Sequence, residues 1–445
     1  MRLWRVTLAL TFLATLYFVS KLDYRRRMEA RQTYDKPMAD LLKDLEARDI
    51  VPQIHKTSEN VRPSVKNQRK INIVQNVRPD SSTSSTRYLL PLYLRGGGPN
   101  WQYNNFKAAI RLAIVSRRTI IPVSFMGHYS NHNDIRPFGD TFNVTELEKL
   151  LPVAKIDEFL SNCQGHVEAV LTPSTIFPTF IQMYENHYRK SASMLKTMWN
   201  ISIPDYETVP SDNEARKELF VTSSEVKCLA IFHPINVFGL EVPDCIEYEP
   251  WVKIPNGLEL ELATYKHLQR TYDIKQMADI AMKKICNGNE YMAIHWRNKT
   301  GERCSKSSPD PQLCNDIAPM LTQITKTIMV DEISSIAREN SLDCLYIARP
   351  SYSSDIEVYM KRKFNKVFTA DDVLSIRDPR IFFLKDDNYR LSLVEQEICA
   401  RSKVFGATWL SSWSKFVADE RLASEKETIY FYKFPGLTEE IALHF

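Results

Sequence analysis

Apolar residues recur along this chain in two regular blocks separated by a less regular middle. The first block opens with residues 88–94 (YLLPLYL), a continuous apolar run that predicts a strand buried on both faces. The run ends in Arg95-Gly96-Gly97-Gly98-Pro99-Asn100, and helix spacing follows over 102–116, carried by Phe106, Ala109, Ile110, Ala113 and Ile114. A second apolar run, 119–124, completes strand, glycine turn, helix and strand, the pattern of a parallel βαβ unit. In the second block, strands are predicted over 291–296, 344–348, 366–369, 403–407 and 428–432. Helices are predicted between them over 317–340, 354–364, 391–401 and 412–421. The middle, about 125–285, mixes helical stretches with aromatic, proline-containing loops and yields no clear order of elements. There is no repeat of solenoid period. The pattern predicts an α/β chain with two facing Rossmann-type domains built on parallel sheets, 88–285 and 286–445. In such folds ligands bind at the carboxyl ends of the strands.

Length and charge fit this division. A chain of 445 residues is long enough for two domains, and 44% hydrophobic with 25% charged residues is a globular composition. The formal charge of +4 is unevenly placed: residues 1–80 hold 16 Lys and Arg against nine Asp and Glu. The remainder has 42 against 45, so the folded part is nearly neutral. A nucleic-acid partner is thereby disfavoured, since its basic surface would belong on the folded domain.

The N-terminus sets the expected compartment. Residues 6–20 (VTLALTFLATLYFVS) are free of charge, with Arg2 and Arg5 before them and Lys21 and Arg25–Arg27 after. They are short for a spanning helix, but flanking residues and a thin secretory membrane accommodate them. A cleaved signal peptide would place Phe18 where a small residue is preferred. Residues 1–22 therefore read as a cytoplasmic tip and signal-anchor helix, with a cleaved signal or a buried helix as rivals. Residues 23–87, polar, basic and ending in a Ser/Thr-rich run, read as a flexible stem. Asn143, Asn200 and Asn298 each open an N-glycosylation sequon, which has meaning only in the lumen. Eight cysteines without zinc spacing suit a lumenal, disulfide-containing protein. Cys304 and Cys314 are the natural local pair, and Cys399, in an apolar helix pattern, suits a buried thiol. With no retrieval tetrapeptide at its end, the chain is expected in the Golgi membrane rather than the ER, as a single-pass type II protein.

Three motifs at predicted strand ends carry candidate chemistry. Gly96-Gly97-Gly98 uses a quarter of the chain's 12 glycines in one turn, where backbone N–H groups can approach a phosphate or sugar. The plainer reading is a tight turn with Asn100 capping the helix. His295-Trp296-Arg297 closes a buried strand, with His295 and Arg297 on one side. A fixed guanidinium there suits a diphosphate leaving group, although a salt bridge and a satisfied histidine would also explain it. Ser411 and Ser412 open a helix after the strand at 403–407, an anion site or a simple cap.

In order and wording these motifs resemble the GDP-fucose protein O-fucosyltransferase superfamily. The likeness covers about 88–125 and 290–422. It includes the glycine turn with Asn100, the His295-x-Arg297 strand end followed by Cys304 and Cys314, and the strand at 345–348. The last block, Val394-Glu395-Gln396-Glu397-Ile398-Cys399 through Ser411-Ser412 to Glu420-Arg421, is the most specific piece. The resemblance implies a GT-B-like inverting enzyme that needs neither metal nor other cofactor and uses GDP-fucose as donor. Arg297 would contact the β-phosphate, Asn100 would lie near the reaction centre, and Ser411 and Ser412 would hold the pyrophosphate. His295, Gly97 and Gly98 would line the nucleotide-sugar cleft, and 88–285 would be the acceptor side. The expected acceptor is a hydroxyl of a lumenal protein or glycan. Two positions depart from the family pattern. Arg349-Pro350 stand where Thr-Asp is common, the Asp reading guanine, and Gly97 stands where some members place a carboxylate base. Both departures also suit a non-catalytic, glycan- or nucleotide-sugar-binding descendant. A glycan-chain fucosyltransferase shares the same His-x-Arg logic.

Overall fold

A computed structural model describes residues 86–92, 98–126, 134–172, 178–206, 225–234, 257–298, 304, 314, 322, 324–408, 411–431 and 434, all within one compact unit, Asn72–Phe445. The predicted anchor and nearly all of the stem lie outside these residues.

Four parallel strands form the first sheet in the order β2-β1-β6-β5. They are β1 (Tyr88–Leu92), β2 (Thr119–Ile120), β5 (Ala169–Leu171) and β6 (Cys228–Phe232). Between β2 and β5, β3 (Phe125–Met126) and β4 (Ile135–Arg136) form a small antiparallel pair. Five parallel strands form the second sheet in the order β11-β10-β7-β8-β9. These are β7 (Met292–His295), β8 (Cys344–Ala348), β9 (Lys366–Thr369), β10 (Val404–Ala407) and β11 (Thr428–Tyr430). The helices that position the site are α1 (Pro99–Val115), α2 (Ile156–Cys163), α3 (Pro178–Trp199), α4 (Gly257–His267), α5 (Tyr272–Lys284), α6 (Val330–Glu339), α7 (Asp355–Met360), α8 (Asn388–Arg401) and α9 (Ser412–Ala423).

β1, β6, β7, β8 and β10 are buried along their whole length, which is why they read as unbroken apolar runs rather than alternating ones. The strand expected over 119–124 pairs only through Ile120, because Pro122 has no N–H for a ladder and β2 lies at a sheet edge. The helix expected over 317–340 appears, among described residues, as α6 preceded by a π-helical turn, Thr325–Met329. The middle holds β5 and β6, two strands the apolar pattern did not separate from their loops. Disulfides join Cys163 of α2 to Cys228 at the start of β6, Cys286 to Cys344 at the start of β8, and Cys304 to Cys314. Cys399 is an unpaired thiol buried in α8, its pKa pushed up by burial.

One apolar core runs from the first sheet into the second. Tyr103 of α1 packs edge-on against Phe125, Phe142 and, on α9, Phe416, with ring centroids 4.9, 5.1 and 5.5 Å away. Within and beside this core runs a chain of polar contacts, most of them buried. Lys107 of α1 pairs with Asp419 of α9, its ammonium lying over the rings of Tyr265 and Phe416 at 4.6 and 4.7 Å. Arg136 makes a two-pronged pair with Asp387 at 3.0 and 3.2 Å, and the Thr141 and Tyr389 hydroxyls lie 2.6 Å apart. Arg270, in the short connection between α4 and α5, is buried completely. It donates to Glu397 at 3.0 Å, to both oxygens of Glu420 at 2.9 and 2.7 Å, and to the Gln396 side-chain oxygen at 3.2 and 2.9 Å. Burial works against this charge, but Glu420 and Glu397 outweigh it and hold the guanidinium pKa above its ordinary value. Burial raises the Glu420 carboxyl to about 7 against the pull of Arg270, while Glu397, between Arg270 and Arg401, stays below the usual range. One cation serving two carboxylates leaves one of them easier to protonate.

Removing that cation leaves the mostly buried Glu420 without its ion-pair partner and Glu397 with Arg401 alone. Arg270→Met should therefore cost about 3–5 kcal/mol of stability, read by denaturant unfolding. A loss below about 1 kcal/mol would show that the network does not hold the two sheets together.

Candidate functional site

The second sheet reverses its strand order at β7. The chain steps outward through β8 and β9, then returns to place β10 and β11 on the other side of β7. Parallel sheets open a ligand crevice at such a reversal, beyond the carboxyl ends of the two strands. β7 ends there in His295-Trp296-Arg297, and β10 ends there in Thr408 before α9.

Thr408 fixes the two strand ends to each other. Its hydroxyl donates to the His295 carbonyl at 2.6 Å and accepts from the Arg297 N–H at 3.2 Å. His295 is buried, with Nδ1 2.7 Å from the Ser414 hydroxyl and its ring stacked on Trp413 at 4.2 Å and 19°. Trp413 is itself pinned through its indole N–H to Ser392, 2.9 Å away. Arg297 is half-buried just beyond the end of β7.

The start of α9 completes this side. Ser411 is buried and spends its hydroxyl on the helix cap, accepting from the Ser414 N–H at 3.4 Å. The plainer reading of Ser411 thus describes its position, while Ser412 is half-buried at the first helical residue. Free N–H groups of the first turn give α9 a positive end.

The first sheet also reverses order, at β1, which lies between β2 and β6. The glycine turn follows β1, though Gly96 and Gly97 lie outside the described residues. Gly98 occupies the cap position of α1, with Pro99 as its first residue. Asn100 is therefore inside the helix and is not its cap. Its side-chain oxygen accepts from Gln396 at 2.5 Å, and the Gln396 oxygen in turn accepts from Arg270. Asn100, on the first sheet's helix, is thus tied to α8 of the second. Arg270 escaped the sequence reading, while Glu395 and Gln396 entered it only as part of the block at 394–399, and Thr408 and Ser414 only as flanks of Ser411-Ser412, without roles of their own. The visible signal was Glu395-Gln396-Glu397, three polar residues in succession between Leu393-Val394 and Ile398-Cys399.

The three sequons occupy different surroundings. Asn200 is exposed, in a left-handed conformation (φ 54°). Asn143 caps a short helix, its side-chain oxygen accepting from Thr145 at 3.0 Å and Glu146 at 3.4 Å. Asn298 donates its amide nitrogen, the atom a glycan would occupy, to Asp355 at 3.2 Å. Among the described residues no cluster of His, Cys, Asp or Glu could hold a metal ion, and no helix is long and apolar enough to cross a membrane.

At the end of β8, Arg349 points its guanidinium to Glu357 at 2.7 Å, with Asp371 at 4.0 Å. Beneath it Glu395 is buried and accepts from the Tyr346 hydroxyl at 3.0 Å. Burial pushes this carboxyl up to about 8, opposed by the Tyr346 hydrogen bond and by Arg349. A carboxyl raised in the folded state stabilises fully below its unfolded pKa, here 4.5, and loses that contribution as pH rises toward 8. Glu395→Gln should therefore match the parent in thermal stability at about pH 5 and exceed it at about pH 8.5, by on the order of 1 kcal/mol or more. An unchanged pH dependence would remove Glu395 as its source.

The family model of the GDP-fucose protein O-fucosyltransferases matches residues 92–424, well over half of the chain. No curated protein matches the sequence. The crystal structure of POFUT1 in complex with GDP is 14% identical, with a TM-score of 0.50 over 78% of this chain and 99% of that one. POFUT1 in complex with GDP-fucose gives 15%, 0.49, 81% and 100%, and the fucosyltransferase NodZ from Bradyrhizobium gives 13%, 0.39, 75% and 93%. The likeness to POFUT1 with GDP is one of fold: two parallel sheets in a GT-B-like α/β arrangement. With that fold and the matched family over most of its length, the chain belongs to the GDP-fucose protein O-fucosyltransferase family.

Proposed function

We propose that this protein transfers fucose from GDP-fucose to a hydroxyl of a lumenal protein or glycan, by single displacement with inversion. The observation that carries the reading is the placing of Arg297 after β7 and of α9 after β10, adjacent strands joined at their ends by Thr408 where the strand order of the second sheet reverses. A cation and a positive helix end on adjacent strands suit a diphosphate that gains charge as it leaves. The neighbouring structures support the donor, since POFUT1 was crystallised with GDP and with GDP-fucose.

In this reaction the acceptor oxygen bonds to the sugar's anomeric carbon while that carbon's bond to the β-phosphate oxygen breaks. Arg297 neutralises the β-phosphate, and the first turn of α9, with Ser412, holds the pyrophosphate. Asn100 lies near the reaction centre, and the stacked His295 lines the nucleotide cleft. The acceptor's proton leaves to water or to a group other than residue 97, which is glycine. Arg297 and α9 do the work that a metal does in other nucleotide-sugar enzymes, so the reaction needs none. The N-terminal apolar segment, the sequons at Asn143 and Asn200 and the disulfides support a type II protein of the Golgi membrane with its catalytic part in the lumen.

A second reading, a binding protein without turnover, is favoured by Arg349-Pro350 and by Gly97. Thermal shift of the full-length protein in detergent, with GDP, UDP and GDP-fucose, tests the donor. Stabilisation by GDP and GDP-fucose but not UDP is expected, and no shift with any of them would remove the donor claim. GDP release on adding a lumenal glycoprotein then separates enzyme from binder. Arg297→Ala should lower that release by about a hundredfold or more with the fold intact. Retained turnover would take Arg297 out of the mechanism.

A further inference from the structure

The last ladder bond of β7 comes from the Trp296 N–H, and the residues beyond it are held by side chains. The backbone N–H groups of Trp296, Arg297 and Asn298 are all engaged. Trp296 donates to the Ala348 carbonyl at 2.9 Å, Arg297 to Thr408 as described, and Asn298 to the Ser353 hydroxyl at 2.9 Å. The side chains on either side of Arg297 then converge on one carboxylate. The Trp296 indole N–H donates to Asp355 Oδ1 at 3.0 Å, and the Asn298 amide donates to Asp355 Oδ2 at 3.2 Å.

From this arrangement we propose that Asp355 is a positioning residue for Arg297. Trp296 and Asn298 lie on one side of the extended chain, His295 and Arg297 on the other. Asp355 therefore grips the back of the strand end whose front carries the guanidinium. Trp296 is a rigid arm of this clamp, since it is fully buried in a separate apolar cluster with Phe431 6.0 Å from its ring. Asp355 is the first residue of α7, so the grip joins that helix to β7. Two charge-assisted hydrogen bonds to one carboxylate fix direction as well as distance, which a bidentate guanidinium contact requires. The clamp also commits the Asn298 amide nitrogen, so this sequon serves the strand end and not a glycan.

The inference rests on the proposal that Arg297 meets the β-phosphate, and its test separates the two. Calorimetric titration of the full-length protein in detergent compares GDP, GMP and guanosine. The ratio of GMP to GDP dissociation constants reports the β-phosphate contact, and guanosine reports the rest of the site. In Asp355→Ala the ratio should fall by about tenfold or more toward its value in Arg297→Ala, with guanosine binding unchanged. Asn298→Ala, which removes one arm at a half-buried position, should lower it less and serves if Asp355→Ala does not fold. A parent-like ratio in the folded variants would overturn the proposal, as would an equal weakening of all three ligands. A parent protein that does not distinguish GDP from GMP would overturn the donor reading itself, and the clamp's role with it.

Discussion

The guanidinium of Arg270, sealed from water and shared by Glu397, Glu420 and Gln396, is the contact on which the rest of the site depends. A buried cation of this kind is costly unless every donor finds a partner, and the partners come from two helices of the second sheet. Arg270 itself lies beside the first sheet's small helices, where its backbone bridges to Phe142. Satisfying it therefore fixes α8 and α9 against the first half of the fold. The buried pair of Lys107 with Asp419 repeats the same logic, and the half-buried pair of Arg136 with Asp387 adds a further polar link between the two halves. The aromatic contacts of Tyr103 and Phe416 supply the apolar part of that join.

The chemistry follows from what those two helices carry. Gln396 of α8 takes its orientation from Arg270 and passes it to Asn100. α9 begins at the crevice, and its Ser414 and Trp413 hold His295. One network therefore sets the helix holding Asn100 and the helix start beside Arg297. Strand ends alone would leave these groups on separate sheets. The network ties their helices together, which the proposed reaction needs for them to act as one site, and Asp355 is the proposed second support from the opposite face of β7.

Much of this was legible in residues and some was not. The central strands announce themselves, because burial on both faces removes every polar position from runs such as Cys344–Ala348. His295-x-Arg297 and Ser411-Ser412 were visible for a similar reason, as polar groups placed abruptly at the ends of apolar runs. β5 was not visible because it is only three residues long, and β6, although as apolar and as long as β1, stands in a middle whose other elements gave no order to place it in. Arg270 gave no signal either: a lone arginine in an unparsed middle looks like any solvated charge until its partners, more than a hundred residues away, come together. Ser411 shows a limit of a different kind: a hydroxyl at a helix start suits a cap and an anion alike, and the fold shows it accepting from the Ser414 N–H. Local chemistry reads well from sequence, while long-range satisfaction of buried polar groups does not.

A crystal structure of the protein soaked with GDP tests the central claim most directly. The account predicts the diphosphate between the Arg297 guanidinium and the first turn of α9, with the β-phosphate nearest Arg297 and Asn100 still tied to Gln396. Nucleotide bound away from the end of β7, or no bound nucleotide at saturating GDP, would contradict it.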